Sequence, residues 1–108
     1  MKSTSHTFMS PGVKRTLKKL GHDVRVARKK RRLRVTDLAA AASCSMGTVR
    51  RLEAGDPGVS IGVLAMVLLG LGRRNLLGEV LDVARDDGGL LLEEARLPKR
   101  VRKAAEPR

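Results

Sequence analysis

Between Lys14 and Arg34 the chain carries Lys14, Arg15, Lys18, Lys19, Arg25, Arg28, Lys29, Lys30, Arg31, Arg32 and Arg34 against a single acidic residue, Asp23. Most charge runs are solvated faces, but a run of one sign this dense suits contact with phosphates. Other chemistry finds no materials. No nucleophile, base and orienting group converge along the sequence, and no carboxylate cluster suits a metal, so neither an enzyme nor a cofactor is expected. His6 and His22 lack a second ligand at metal spacing. Cys44, the one cysteine, has no resolving thiol and reads as a small core residue. Gly70 and Gly72 before Arg73-Arg74 lack the third glycine of a phosphate loop and follow a helical pattern instead of a strand, so they read as a helix terminus.

The basic run leads into the stretch TDLAAAASCSMGTVRRLE, Thr36 to Glu53. Leu38, Ala39 and Ala42 share one side at helical spacing, and Cys44, Val49 and Leu52 form a second apolar stripe. The spacing predicts two short helices, Thr36 to Ala42 and Met46 to Ala54, joined by a turn at Ser43-Cys44-Ser45: the outline of a helix-turn-helix. Ser45 stands where an N-cap belongs, with Cys44 and Val49 placed as a hydrophobic staple. Gly55 follows where a left-handed C-cap residue is wanted.

On either side of the motif the pattern extends the helical count. Residues Met1 to Gly12 are polar, end in Pro-Gly and read as a flexible arm. Val13, Leu17, Leu20, Val24 and Ala27 form a narrow apolar stripe on a first helix running to about Arg32. After the Asp56-Pro57-Gly58 turn, Ser60 caps a fourth helix whose face is Ile61, Leu64, Ala65, Leu68 and Leu69, stapled by Val59 and Leu64 and read as the centre of the core. A fifth helix is expected from Asn75 to about Arg85, with Leu76, Leu77, Val80, Leu81 and Ala84 on one side, surplus to the monomer and available for a dimer. Beyond Asp86-Asp87-Gly88-Gly89 the sequence LLLEEARLPKRVRKAAEPR reads as an extension without its own core. The expected fold is therefore all-α: an arm over 1–12, a five-helix domain over 13–87 and a basic C-terminal tail over 88–108.

Composition narrows the partner. Against 11 acidic residues stand 23 Lys and Arg, a formal charge of +12 that concentrates polyanions around the protein. Phe8 is the only aromatic residue, too few for the stacking platforms that grip single strands, so duplex nucleic acid is favoured. The longest apolar run, Ile61 to Gly72, falls well short of the roughly 20 residues that span a bilayer. With no charged-then-apolar leader and no disulfide framework, the cytoplasm is the expected compartment and no membrane partner is expected.

Leu38-Ala39, Ser45, Thr48-Val49-Arg50-Arg51-Leu52-Glu53, Gly55 and the Ser60 to Gly72 helix resemble the lambda-repressor/Cro-type (XRE) DNA-binding domain over roughly residues 17 to 85. More narrowly, RRLEAGDPGVSIGVLAMVLLGLG and GLLLEEARLPKRVR resemble the HipB-like antitoxins, which repress their own operon and bind a HipA-type kinase toxin. The resemblance implies a homodimeric repressor on double-stranded operator DNA, with base-edge contact from Met46, Gly47 and Arg51, and Thr48 and Arg50 touching phosphate or base. It also implies an inner ion pair between Arg28 and Glu53.

The side-chain chemistry agrees in part. Arg51 can make a bidentate pair to guanine, whereas Met46 offers only apolar contact and Gly47 no side chain at all. With so few polar readers, affinity is expected from phosphate contacts by Arg34, Thr48, Arg50 and the first helix, including Lys29, and specificity from DNA shape. Leu90, Leu91, Leu92, Leu97, Pro98, Lys99 and Arg100 are the candidate partner-binding segment for a HipA-like kinase.

Two positions depart from the family pattern. Ser43 stands where the turn usually carries Gly, so a left-handed backbone there is strained or the turn differs. Arg34 replaces a capping Thr or Ser, so either Thr36 caps a shortened helix or Arg34 gives up capping to reach a phosphate. A stand-alone phage-type or housekeeping regulator, a mainly toxin-neutralising module, and a nucleoid or RNA binder without sequence preference are the rival readings.

Overall fold

Ser10 starts the first helix. Its hydroxyl accepts from the Gly12 amide at 3.2 Å, and Pro11 takes the first helical position, where a missing N–H costs nothing. The Pro-Gly pair read as the end of an arm is thus the first turn of α1, Pro11–Lys30. The structure, a computed structural model, describes residues 9–73, 76–82, 84, 86, 88–89 and 97–102. The chain divides into two compact units, Met1–Leu77 and Gly78–Arg108.

Three further helices complete the first unit: α2, Val35–Ala41; α3, Met46–Glu53; and α4, Ile61–Gly70. Ser45 and Ser60 cap α3 and α4 as their positions predict, accepting from the amides of Thr48 at 3.0 Å and Val63 at 3.1 Å. Cys44, Val59 and Leu64 all pack against the core, as expected of staple residues. Thr36 does not cap α2. The helix begins at Val35 with Arg34 as N-cap, and because a guanidinium has no acceptor the cap is carried by Asp37, whose carboxylate accepts from the Arg34 amide at 2.7 Å.

All four α-helices close alike. The residue after each C-cap, Arg32, Ser43, Gly55 or Gly72, has positive φ, and its amide and the next return to carbonyls of the last turn: Ser43 to Ala40 at 3.2 Å and Cys44 to Ala39 at 3.0 Å end α2. Glycine takes this conformation freely at Gly55 and Gly72, whereas Arg32 (φ 58°) and Ser43 (φ 53°) hold it as L-residues. Ser43 therefore keeps the left-handed turn despite its side chain.

The core joins one face of each helix. α3 packs on α1 and α2, and α4 on α2. Leu38, Val49 and Val67 are completely buried, with Val24, Ala39, Ala42, Leu52 and Leu71 around them. On α4 Val67 is buried and Leu64 packs against the core, while Ile61 is 72% and Leu69 49% exposed, so the face read from the sequence is only in part the one that packs. A helix that is apolar all round carries no periodic signal of which side faces inward. Val67 of α4 thus shares the centre of the core with Leu38 of α2 and Val49 of α3.

The fifth helix expected over 75–85 is not what the described residues there show. Residues 76–82 form a single 3-10 turn, Leu77–Glu79, and Val80 and Leu81 are 69% and 82% exposed. Gly78 lies inside the proposed helix and costs about 1 kcal/mol relative to Ala, and stripe residues left in solvent return nothing to offset it. Among the described residues there are four α-helices and no strand.

Candidate nucleic-acid interface

α3 has an inner and an outer side. Val49 and Leu52 enter the core, and the opposite side presents Met46, Gly47, Arg50, Arg51 and Ala54 to solvent. Thr48, at the edge, ties the start of the helix to its outer face: its hydroxyl is 2.8 Å from the Ser45 hydroxyl and accepts from Arg51 Nη2 at 3.3 Å. Arg51 therefore projects outward, preordered by one weak bond and free to exchange it for a stronger acceptor. At Gly47 a Cβ would meet only the Ser45 hydroxyl oxygen, at 3.8 Å, so this stretch of backbone is bare on its outer side. Such a surface suits close approach to a groove wall.

Position along α1 is set by two glycines, one of which the sequence pattern did not single out. A methyl on Gly21 would sit 2.5 Å from the Leu52 carbonyl oxygen and 2.6 Å from that of Glu53, and one on Gly55 would sit 2.7 Å from Lys18 Cα. These backbone contacts pin the C-terminal end of α3 to α1. The available clue was a glycine inside the apolar stripe of a long helix, between Leu17 and Val24, where propensity alone disfavours it.

Next to that contact the Arg28–Glu53 pair is formed and almost fully enclosed, with the side chains 9% and 8% exposed. Arg28 Nε donates to Glu53 Oε2 at 2.7 Å and Nη2 to Oε1 at 3.0 Å, while Nη1 donates to the Leu33 carbonyl at 2.9 Å. The hydrogen bond to Glu53 raises the Arg28 pKa above its ordinary value; burial opposes this and the Glu53 charge adds to it. One side chain thus fastens α3 to α1 and holds the loop after α1.

The phosphate candidates are dispersed. Thr48 and Arg50 belong to α3, and Lys29 is exposed on α1 beside Arg28. Arg34, with its side chain 81% exposed, is engaged by Asp37, Nε to Oδ2 and Nη2 to Oδ1 both at 3.1 Å. It serves the start of α2, and reaching a phosphate would mean leaving Asp37. Leu97, Pro98, Lys99 and Arg100 are exposed in the second unit; Leu90, Leu91 and Leu92 lie outside the described residues. Among the described residues no group of His, Cys, Asp and Glu could hold a metal ion, and no helix is long and apolar enough to cross a membrane.

A short helix, a tight turn and a second, capped helix packed on the first with arginines outward define a helix-turn-helix protein. Residues 19–74, more than half of the chain, match the family model described as Helix-turn-helix domain, and the chain belongs to that family, within the XRE-like class of DNA-binding regulators. No curated protein and no solved structure matches it.

Proposed function

We propose that this protein is a sequence-specific repressor that inserts α3 into the major groove of duplex DNA as a homodimer on a two-fold operator. The observation that carries the reading is the outer face of α3, where Arg50 and Arg51 stand exposed on a helix whose other side is locked into the core. Arg51 reads a base, Met46 and Gly47 lie against the groove, and Arg50, Thr48 and Lys29 contribute phosphate contacts. The test is a mobility-shift series on the protein's own promoter. Arg51→Ala relaxes base preference, at about 1 to 3 kcal/mol at one position, whereas Lys29→Ala weakens all sequences alike. Uniform losses for both variants would remove Arg51 from the role of reader.

Within that class the finer role is antitoxin and autorepressor of a HipA-like kinase toxin. Its support is the likeness of Arg50 to Gly72 and of the segment around Leu90 to Arg102 to HipB-like antitoxins. In this role Leu90, Leu91, Leu92, Leu97, Pro98, Lys99 and Arg100 bind the kinase. Deleting residues 88–108 should abolish capture of a kinase encoded beside this gene and leave promoter affinity intact. Absence of any such partner would make the protein a stand-alone regulator.

A further inference from the structure

Between α1 and α3 lies a cleft of about 300 Å³ lined by Arg25, Arg28, Val35, Arg50, Glu53 and Ala54. Its charges do not balance. The single carboxylate, Glu53, is held at both oxygens by Arg28, and the remaining Arg28 bond goes to the Leu33 carbonyl. Arg25 and Arg50 are both exposed, and among the described residues neither has a hydrogen-bond or ion-pair partner. Three guanidinium groups thus border a single concavity with one carboxylate, leaving an excess of positive charge that an anion would neutralise.

The geometry points to a phosphate seat in this cleft, with Arg25 from α1 and Arg50 from α3 gripping one phosphodiester of the DNA strand beside α3. The planar donor forks of both side chains match phosphate oxygens, and their exposure leaves the rim open to a passing backbone. Val35 and Ala54 supply only apolar walls, so the seat recognises charge and shape and carries no base information. Arg28, already committed to Glu53, sets the floor. The inference rests on the DNA-binding reading above and adds α1 to the contact surface through Arg25.

Fluorescence anisotropy with a short labelled duplex, repeated over a series of salt concentrations, tests it. Arg25→Ala and Arg50→Ala each weaken binding equally for all sequences. The double variant lowers the slope of log affinity against log salt by about 1 in total, because one phosphate is shared. Lys30→Ala removes the same charge from a residue lining the groove between α1 and α4, and it loses less. Arg25→Gln serves the same purpose should the alanine variant not fold. A loss from Lys30→Ala equal to that from Arg25→Ala would mean net charge alone and overturn the seat. Unchanged binding by both Arg25 variants while the parent still binds duplex would overturn the seat and leave the DNA reading standing; no duplex binding by the parent would overturn both. Calorimetry with inorganic phosphate separates the sources: saturable uptake lost in the double variant, with duplex affinity unchanged, would overturn the assignment to the DNA backbone.

Discussion

Arg28 and Glu53 are the side chains whose removal should be felt most. Two charges withdrawn from water are tolerable only as a pair, so deleting one strands the other at a buried site. Glu53→Gln retains the shape and loses the charge; we expect it to destabilise the domain by about 3 kcal/mol in chemical denaturation. A loss below about 1 kcal/mol would mean that water reaches Arg28. Arg51 differs in kind. It is exposed, its one bond to Thr48 is 3.3 Å long, and surface substitutions of this sort scarcely move stability. Its loss should be visible in DNA binding alone.

Helix ends and helix crossings account for the next set of effects. Ser43 holds φ 53° after α2, a conformation that costs an L-residue roughly 1 to 2 kcal/mol, of which glycine's greater unfolded freedom returns about half. Ser43→Gly should therefore raise stability by about 0.5 to 1 kcal/mol, and a melting curve unchanged or lowered would contradict the strain. Gly21 is the opposite case, because its would-be methyl meets backbone carbonyls that cannot move aside. Gly21→Ala should cost roughly 2 to 3 kcal/mol and shift α3 enough to impair DNA binding, whereas Gly47→Ala should fold as the parent does, its methyl making only an ordinary contact with the Ser45 hydroxyl oxygen. Equal stability for the two alanine variants would refute this account of the crossing. At the start of α2, hydrogen bonds from the Arg34 side chain and then its backbone hold the Asp37 carboxyl below its ordinary value. A depressed carboxyl stabilises the fold above its unfolded pKa of about 3.9, and the contribution fades as pH falls through the lower folded value. Protection of the α2 amides, measured as exchange relative to an unstructured peptide at the same pH, should accordingly fall below about pH 4 in the parent, and this acid-dependent part should vanish in Asp37→Asn.

The formal charge of +12 acts on the molecule as a whole. Between Lys14 and Arg34 only Asp23 opposes the cations, and it is already paired with Lys19 at 2.6 Å. A protein of this kind gains much of its affinity from released counterions, so binding should weaken steeply with salt, by roughly 10³-fold between 50 and 200 mM if about six phosphates are contacted. A shallow salt dependence would place most of the basic run in solvent, away from DNA. Exposed apolar residues bear on the proposed homodimer. Leu76 in the first unit is 41% exposed, and Val80 and Leu81 in the second are 69% and 82% exposed; a homodimer would give such residues cover.

The motif could be read from the sequence because its signals are local. Ser45 and Ser60 cap, Gly55 and Gly72 terminate, and the apolar positions of α2 and α3 recur at the helical period, so each choice is made within a turn or two of chain. Expectations failed, wholly or in part, where local signal was absent or uncompensated: α4 is apolar on every side, and the stripe from Leu76 to Ala84 had no assured surface to bury against. Contacts between distant segments could be settled only by folding. That Gly21 admits the carbonyls of Leu52 and Glu53, that Arg28 meets Glu53, and that Arg25 and Arg50 border one cleft all depend on how α1 crosses α3. Helical periodicity says which face of a helix is apolar; the angle and depth at which two such faces meet is set by packing across the core, which no single stretch of sequence contains.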